Sequence, residues 1–136
     1  MSIQEIEDQI VAEFQQFDDW LDRYNYLIEM GKGLPLIDTK YKTNTYLITG
    51  CQSRVWLHAQ QEDGRMYITA DSDAVITKGI LSPLIRVLSG QKLEDIQYAP
   101  LEFIDKIGLK EHLSPTRANG LVSMIKQIKL YALAFH

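Results

Sequence analysis

Of the 136 residues, 46% are hydrophobic and 24% charged, and the formal net charge is −4 with a pI near 5.3. Such a balance excludes a disordered or fibrous chain, and an acidic chain without a Lys/Arg cluster lacks the basic footprint of nucleic-acid binding. No apolar run reaches bilayer length, Met1-Ser2-Ile3-Gln4-Glu5 carries no signal-like core, and one cysteine cannot form an internal disulfide; the expected setting is the cytoplasm, with protein or small-molecule partners.

The length suits one domain over residues 1–136 around a single core. Ile3, Ile6, Ile10, Phe14 and Phe17 recur at helical spacing with acidic and amide residues between them, which predicts an amphipathic first helix. Asp18-Asp19 supplies carboxylates suited to cap a second helix, with Leu21, Tyr24, Leu27 and Ile28 as its apolar face. Gly31 and Gly33 end it, and Leu34-Pro35 leads out. Trp20, Tyr24 and Tyr26 are read as core or half-buried packing.

Thr45-Tyr46-Leu47-Ile48-Thr49 is rich in β-branched and aromatic residues and predicts a short strand. Val55, Leu57 and Ala59 alternate with polar and aromatic neighbours in the two-residue period of a second strand. Asp63-Gly64 is a hairpin signal, because both central positions of that turn favour positive φ. Met66 to Ala70 then returns as the third strand. Val75, Ile76, Ile80, Leu84, Ile85 and Leu88 predict a largely buried helix, with a kink or break expected between Gly79 and Pro83. Lys92–Gln97 and Leu101–Ile107 read as two short helices. Ser114-Pro115 is a good helix start, with Leu121, Met124, Ile125, Ile128 and Ala132 on one face of the last helix. Gly120 within it is expected to admit another backbone. The class is therefore α+β, a three-stranded antiparallel sheet covered by helices.

The connection between the first two expected strands holds the lone thiol, in Gly50-Cys51-Gln52-Ser53-Arg54. Gly50 lets the chain fold tightly before Cys51, and the polar and cationic residues after it can stabilise a thiolate. From this stretch alone, Cys51 is either a reactive group or a small buried hydrophobe.

The run Gly50-Cys51-Gln52-Ser53-Arg54-Val55-Trp56-Leu57 resembles the signature of the SufE family, sulfur-acceptor proteins that serve cysteine desulfurases. Three further segments resemble that family in order and spacing. They are Trp20 and Tyr24 with Leu27–Pro35, then Asp71–Gly79, then His112–Leu121. Pro83 departs from the family's aliphatic run. The resemblance implies a fold related to that of iron–sulfur cluster scaffolds. It also implies that Cys51 accepts persulfide sulfur from a desulfurase of the SufS or CsdA kind, stimulates it, and relays the sulfur to iron–sulfur scaffold proteins. The pyridoxal phosphate of that reaction belongs to the partner, so no cofactor, metal or membrane is expected for this chain.

Around Cys51, Arg117 matches a position in the last motif, early in a helix whose positive end favours an anion; a surface ion pair is the plainer alternative. Asp73 matches a position near the cysteine loop and the partner, or simply caps a helix. Gly50, Gln52 and Ser53 shape the loop, or are solvated turn residues. His58 and His112 raise a cysteine-hydrolase alternative, and a non-catalytic binding module is a second. No cysteine pair or tight His/Asp/Glu spacing marks a metal site. The thiol is expected to be shielded at rest and to swing out on docking.

Overall fold

Ser2 starts the first helix, α1 (Ile3–Phe14), through a reciprocal cap. Its hydroxyl accepts from the Glu5 N–H while the Glu5 carboxylate accepts from the Ser2 N–H, satisfying two donors that a helix start leaves free. The computed structural model describes all residues from Met1 to His136. In α2 (Trp20–Gly31) Asp19 does the same work alone, its carboxylate accepting from the Leu21 N–H at 2.6 Å.

The sheet is built on one hairpin. β1 (Val55–Glu62) and β2 (Arg65–Ser72) pair antiparallel from Val55↔Ser72 to Glu62↔Arg65. Asp63 and Gly64 take φ of 53° and 77° in the turn between them, as expected for that pair of residues. Val55, Leu57 and Ala59 with Met66, Ile68 and Ala70 form the buried face. The opposite face carries Trp56, His58 and Tyr67, onto which residues 38–46 fold back through Tyr41 and Tyr46.

Against the buried face lies α3 (Val75–Leu88), the most enclosed helix, with Ile80, Leu81, Leu84, Ile85, Val87 and Leu88 inside. Its contact with α2 is backbone on backbone. A Cβ on Gly79 would stand 2.6 Å from the Leu27 carbonyl oxygen, and one on Gly31 would stand 2.8 Å from the Gly79 nitrogen. Tyr26, Glu13 and Arg86 clasp α1, α2 and α3 at their edge. Three short helices follow, α4 (Leu93–Gln97), α5 (Phe103–Lys106) and α6 (Leu109–His112), and then the long α7 (Pro115–Phe135). The hydroxyl of Ser114 caps α7 by accepting from the Arg117 N–H. No helix is long and apolar enough to cross a membrane.

Three expectations change. Thr45–Thr49 is not a strand: Asn44–Tyr46 is a 3-10 turn, and only Leu47 makes a bridge, to Trp56. The aromatic content that mimicked a strand serves packing instead, with Tyr46 set edge-on against Tyr41 and His58. The third strand is β3 (Gln91–Lys92), which pairs with Arg65 and Met66, so the sheet order is β1-β2-β3 and Lys92 precedes α4. Cys51 consequently lies in the loop entering β1, not between two strands. Pro83 does not break α3. It removes one donor, but the burial of Ile80, Leu81, Leu84 and Ile85 on either side outweighs that loss.

Candidate functional site

The Cys51 loop is fixed at both ends. At its entrance the Ile48 N–H donates to the Val55 carbonyl at 2.8 Å, beside the Leu47–Trp56 bridge. At its exit Arg54 is clamped: its N–H donates to Asp73 Oδ1 at 3.0 Å, and its carbonyl accepts from the Ser72 hydroxyl at 2.7 Å. The Asp73 N–H adds a longer bond to the same carbonyl, at 3.3 Å. No residue from Thr49 to Ser53 makes a backbone hydrogen bond to a helix or strand. Gly50 is required twice over, by φ of +92° and by Ser123, whose Oγ would lie 2.5 Å from a Cβ there.

Within the loop the Cys51 side chain points at α7. Its Sγ lies 3.7 Å from the Gly120 carbonyl oxygen, the thiol donating weakly. The expected reason for Gly120 is corrected here. A Cβ at that position would meet Sγ at 3.5 Å and the Cβ and Cα of Cys51 at 3.9 Å, so the cysteine itself, side chain first, is what comes close. A cavity of about 70 Å³ opens beside the thiol, lined by Thr77, Ile80, Thr116, Arg117, Gly120 and Met124 together with the loop. Cys51 is half-buried, and burial pushes the thiol above its ordinary pKa. At neutral pH the resting group is therefore the protonated thiol, a poor nucleophile.

The other candidates divide clearly. Arg117, exposed on the first turn of α7, lines the same cavity and makes no ion pair, so the surface salt bridge is absent and its guanidinium is free to meet an anion. Asp73 does not cap α3. Ala74 occupies that place without a side-chain bond, and the Ala74 N–H instead reaches the Ser72 hydroxyl at 3.2 Å. Asp73 holds the loop exit. Gln52 is exposed and unbonded, whereas the Ser53 hydroxyl lies 3.3 Å from that of Thr77.

Both histidines are engaged away from the thiol. His58 stacks on Tyr41 at 3.7 Å between ring centroids, and burial, helped by Lys40, lowers its pKa. His112 stacks on Trp20 at 4.4 Å while Nδ1 meets the Gly108 carbonyl. No group of three His, Cys, Asp or Glu side chains is placed to hold a metal ion.

Sequence reasoning did not single out Thr77, Ser72 and Ser123 as parts of this site. The one signal for Thr77 was its place in the Asp71–Gly79 segment that resembles the family. Ser123 reaches the loop only through the tertiary fold, and no local pattern marks it.

An electrostatic cluster centred on the buried Asp71 supports the loop exit. Asp71, which precedes Ser72, pairs with Lys42 and with Lys78, the latter at 3.2 Å. Burial works to raise the pKa of Asp71, but hydrogen bonds from Lys42, the Ser72 N–H and Lys78 outweigh it and hold the carboxyl below its ordinary value.

Residues 8–132 match the SufE family, described as an Fe-S metabolism associated domain. This chain belongs to the SufE family. A SufE-like protein of Rhizobium meliloti, itself uncharacterized, is 42% identical over 127 residues, covering 90% of this chain and 91% of that one. The sulfur acceptor protein CsdE of Escherichia coli is 34% identical over 117 residues, covering 85% of this chain and 80% of its own. A hypothetical protein from Thermus thermophilus shares the SufE-like fold at a TM-score of 0.78, with 21% identity and 95% and 94% of the two chains covered.

Proposed function

We propose that Cys51 accepts sulfur as a persulfide from a pyridoxal-phosphate-dependent cysteine desulfurase and passes it on to iron–sulfur cluster assembly. The observation that carries this reading is a lone, half-buried thiol on a loop that no backbone hydrogen bond ties to the sheet or helices, in a SufE-family chain. A carrier of sulfur needs a reachable thiol and a way to withdraw it, and the loop supplies both.

The transfer balances without an external oxidant. The Cys51 thiolate attacks the outer sulfur of the donor's cysteine persulfide. The donor's S–S bond breaks, its electron pair leaves on the donor thiolate, and the new S–S bond makes Cys51 the persulfide. Because burial keeps Cys51 protonated at rest, docking must bring it out toward water or cationic groups before it attacks. Arg117, unpaired beside the cavity, favours the anionic thiolate and persulfide. Removal of the donor's sulfur is what would stimulate the desulfurase. A cysteine hydrolase gains no support, since neither histidine lines the cavity.

Intact-protein mass spectrometry after incubation with a cysteine desulfurase and free cysteine tests the reading. The wild-type chain gains the mass of one sulfur atom or more, and Cys51→Ser gains none. An unloaded wild type beside a competent desulfurase would leave a binding module as the better account. Iodoacetamide should also modify Cys51 faster when the desulfurase is present but starved of cysteine; equal rates would count against the swing.

A further inference from the structure

Two side-chain hydrogen bonds join the Cys51 loop to the fold. One is the thiol on the Gly120 carbonyl, weak at 3.7 Å. The other is the pair of hydroxyls on Ser53 and Thr77, 3.3 Å apart. The loop's ends are held by the Ile48–Val55 bond and by the clamp on Arg54. A rotation of residues 49–53 about those ends therefore breaks these two hydrogen bonds and no others.

Thr77 is built to be the fixed half of such a contact. It sits on the first turn of α3, 6% exposed, between the core residues Ile76 and Ile80. Its β-branched side chain has few rotamers, so the hydroxyl is presented in a defined direction. The contact also opens cleanly. Thr77 and Ser53 both line the cavity that the departing loop opens, so both hydroxyls then meet water. Neither partner is left buried and unsatisfied, which would otherwise oppose opening.

We infer that Thr77 is a positioning residue for sulfur transfer: its hydroxyl latches Ser53 and sets how often Cys51 leaves its cavity. This deepens the proposed acceptor role and rests on it. A hydroxyl pair of this kind contributes modestly, so a docking partner can break it, while the free protein keeps its thiol withdrawn most of the time.

The test compares iodoacetamide alkylation of Cys51 in the wild type, Thr77→Val, Thr77→Ser, Ser53→Ala and the double variant Thr77→Val/Ser53→Ala, followed by intact mass. Thr77→Val and Ser53→Ala should each react about three- to tenfold faster than wild type. The double variant should react no faster than the quicker single one, because both remove the same bond. Thr77→Ser, which restores the hydroxyl, should stay near the wild-type rate. Sulfur uptake from glutathione persulfide should follow the same order. Ser53→Ala lies in the loop and keeps the test open if the buried Thr77→Val does not fold. Equal rates for wild type and the single variants would overturn the latch, as would multiplying effects in the double variant, which would assign the change to packing. Failure of Cys51 to load from a desulfurase would remove the acceptor role instead, and leaves these rates untouched.

Discussion

Glycine governs two regions of this molecule in opposite ways. Where α2 crosses α3, Gly31 and Gly79 bring backbone onto backbone so closely that a single added carbon has nowhere to go. At the cysteine loop, Gly120 leaves the thiol at ordinary contact distance, and Gly50 permits a backbone angle rather than a close approach of two helices. The first arrangement fixes the core. The second seats the thiol loosely, with a cavity beside it. Rigidity here comes from the neighbours a glycine has, not from the glycine.

The sharpest way to probe that contrast is Gly79→Ala. The new Cβ would press on the Leu27 carbonyl at 2.6 Å, where backbone cannot yield cheaply. Loss of about 3 kcal/mol of stability is expected, read from urea unfolding midpoints. A loss below about 1 kcal/mol would mean that the crossing can slide, and the comparison would fail.

Gly50→Ala should place its strain elsewhere. Alanine at φ of +92° and against Ser123 costs about 1–2 kcal/mol in the closed loop. If the loop lifts as inferred, global stability should fall by less than that, and Cys51 should alkylate about tenfold faster, the change that 1.4 kcal/mol produces. An unaltered alkylation rate with a full loss of stability would show that the loop is as fixed as the core.

Gly120→Ala is expected to be mild and of the other sign. At 3.5 Å from Sγ the added carbon fits, and alanine is the better helix residue by about 0.5–1 kcal/mol. The unfolding midpoint should rise slightly, with Cys51 alkylating near its wild-type rate.

Acid should produce the gentlest effect. Hydrogen bonds from Arg86, with Tyr26 adding to them against the opposing pull of burial, hold Glu13 below its ordinary value, and Asp71 is likewise depressed. Carboxyls with folded pKa values below their unfolded ones contribute stability that is full above the unfolded range and disappears as pH falls through it toward the folded values. Unfolding midpoints should therefore drop from neutral to acid pH, and Glu13→Gln should flatten that slope. Both clusters are partly exposed, so the effect is modest and weakens with salt.

Much of this architecture was legible in the chain because its signals are local. Asp63-Gly64 announced the hairpin, Asp19 and Ser114 announced their helices, and the alternation from Val55 to Ala59 gave the buried face of β1. Thr45–Thr49 misled because aromatic residues favour strands for the same packing that here seats Tyr46 on Tyr41 and His58. Gln91–Lys92 is too short to show a period and takes its pairing from β2. At the site, the Cys51 signature and Arg117 could be found in sequence. The Thr77–Ser53 and Gly120–Cys51 contacts join residues 24 and 69 positions apart, and only the folded chain brings them together.

The absence of backbone hydrogen bonds between residues 49–53 and any helix or strand has a further consequence. The sheet would keep every backbone hydrogen bond if the loop lifted, so what Cys51 carries would reach the folding equilibrium only through the small Cys51–Gly120 and Ser53–Thr77 contacts. Laden and empty forms should melt together, and a quality-control protease that recognises unfolded protein would meet both equally often. Under the proposed acceptor role, the cargo could then be drawn on without altering the lifetime of its carrier.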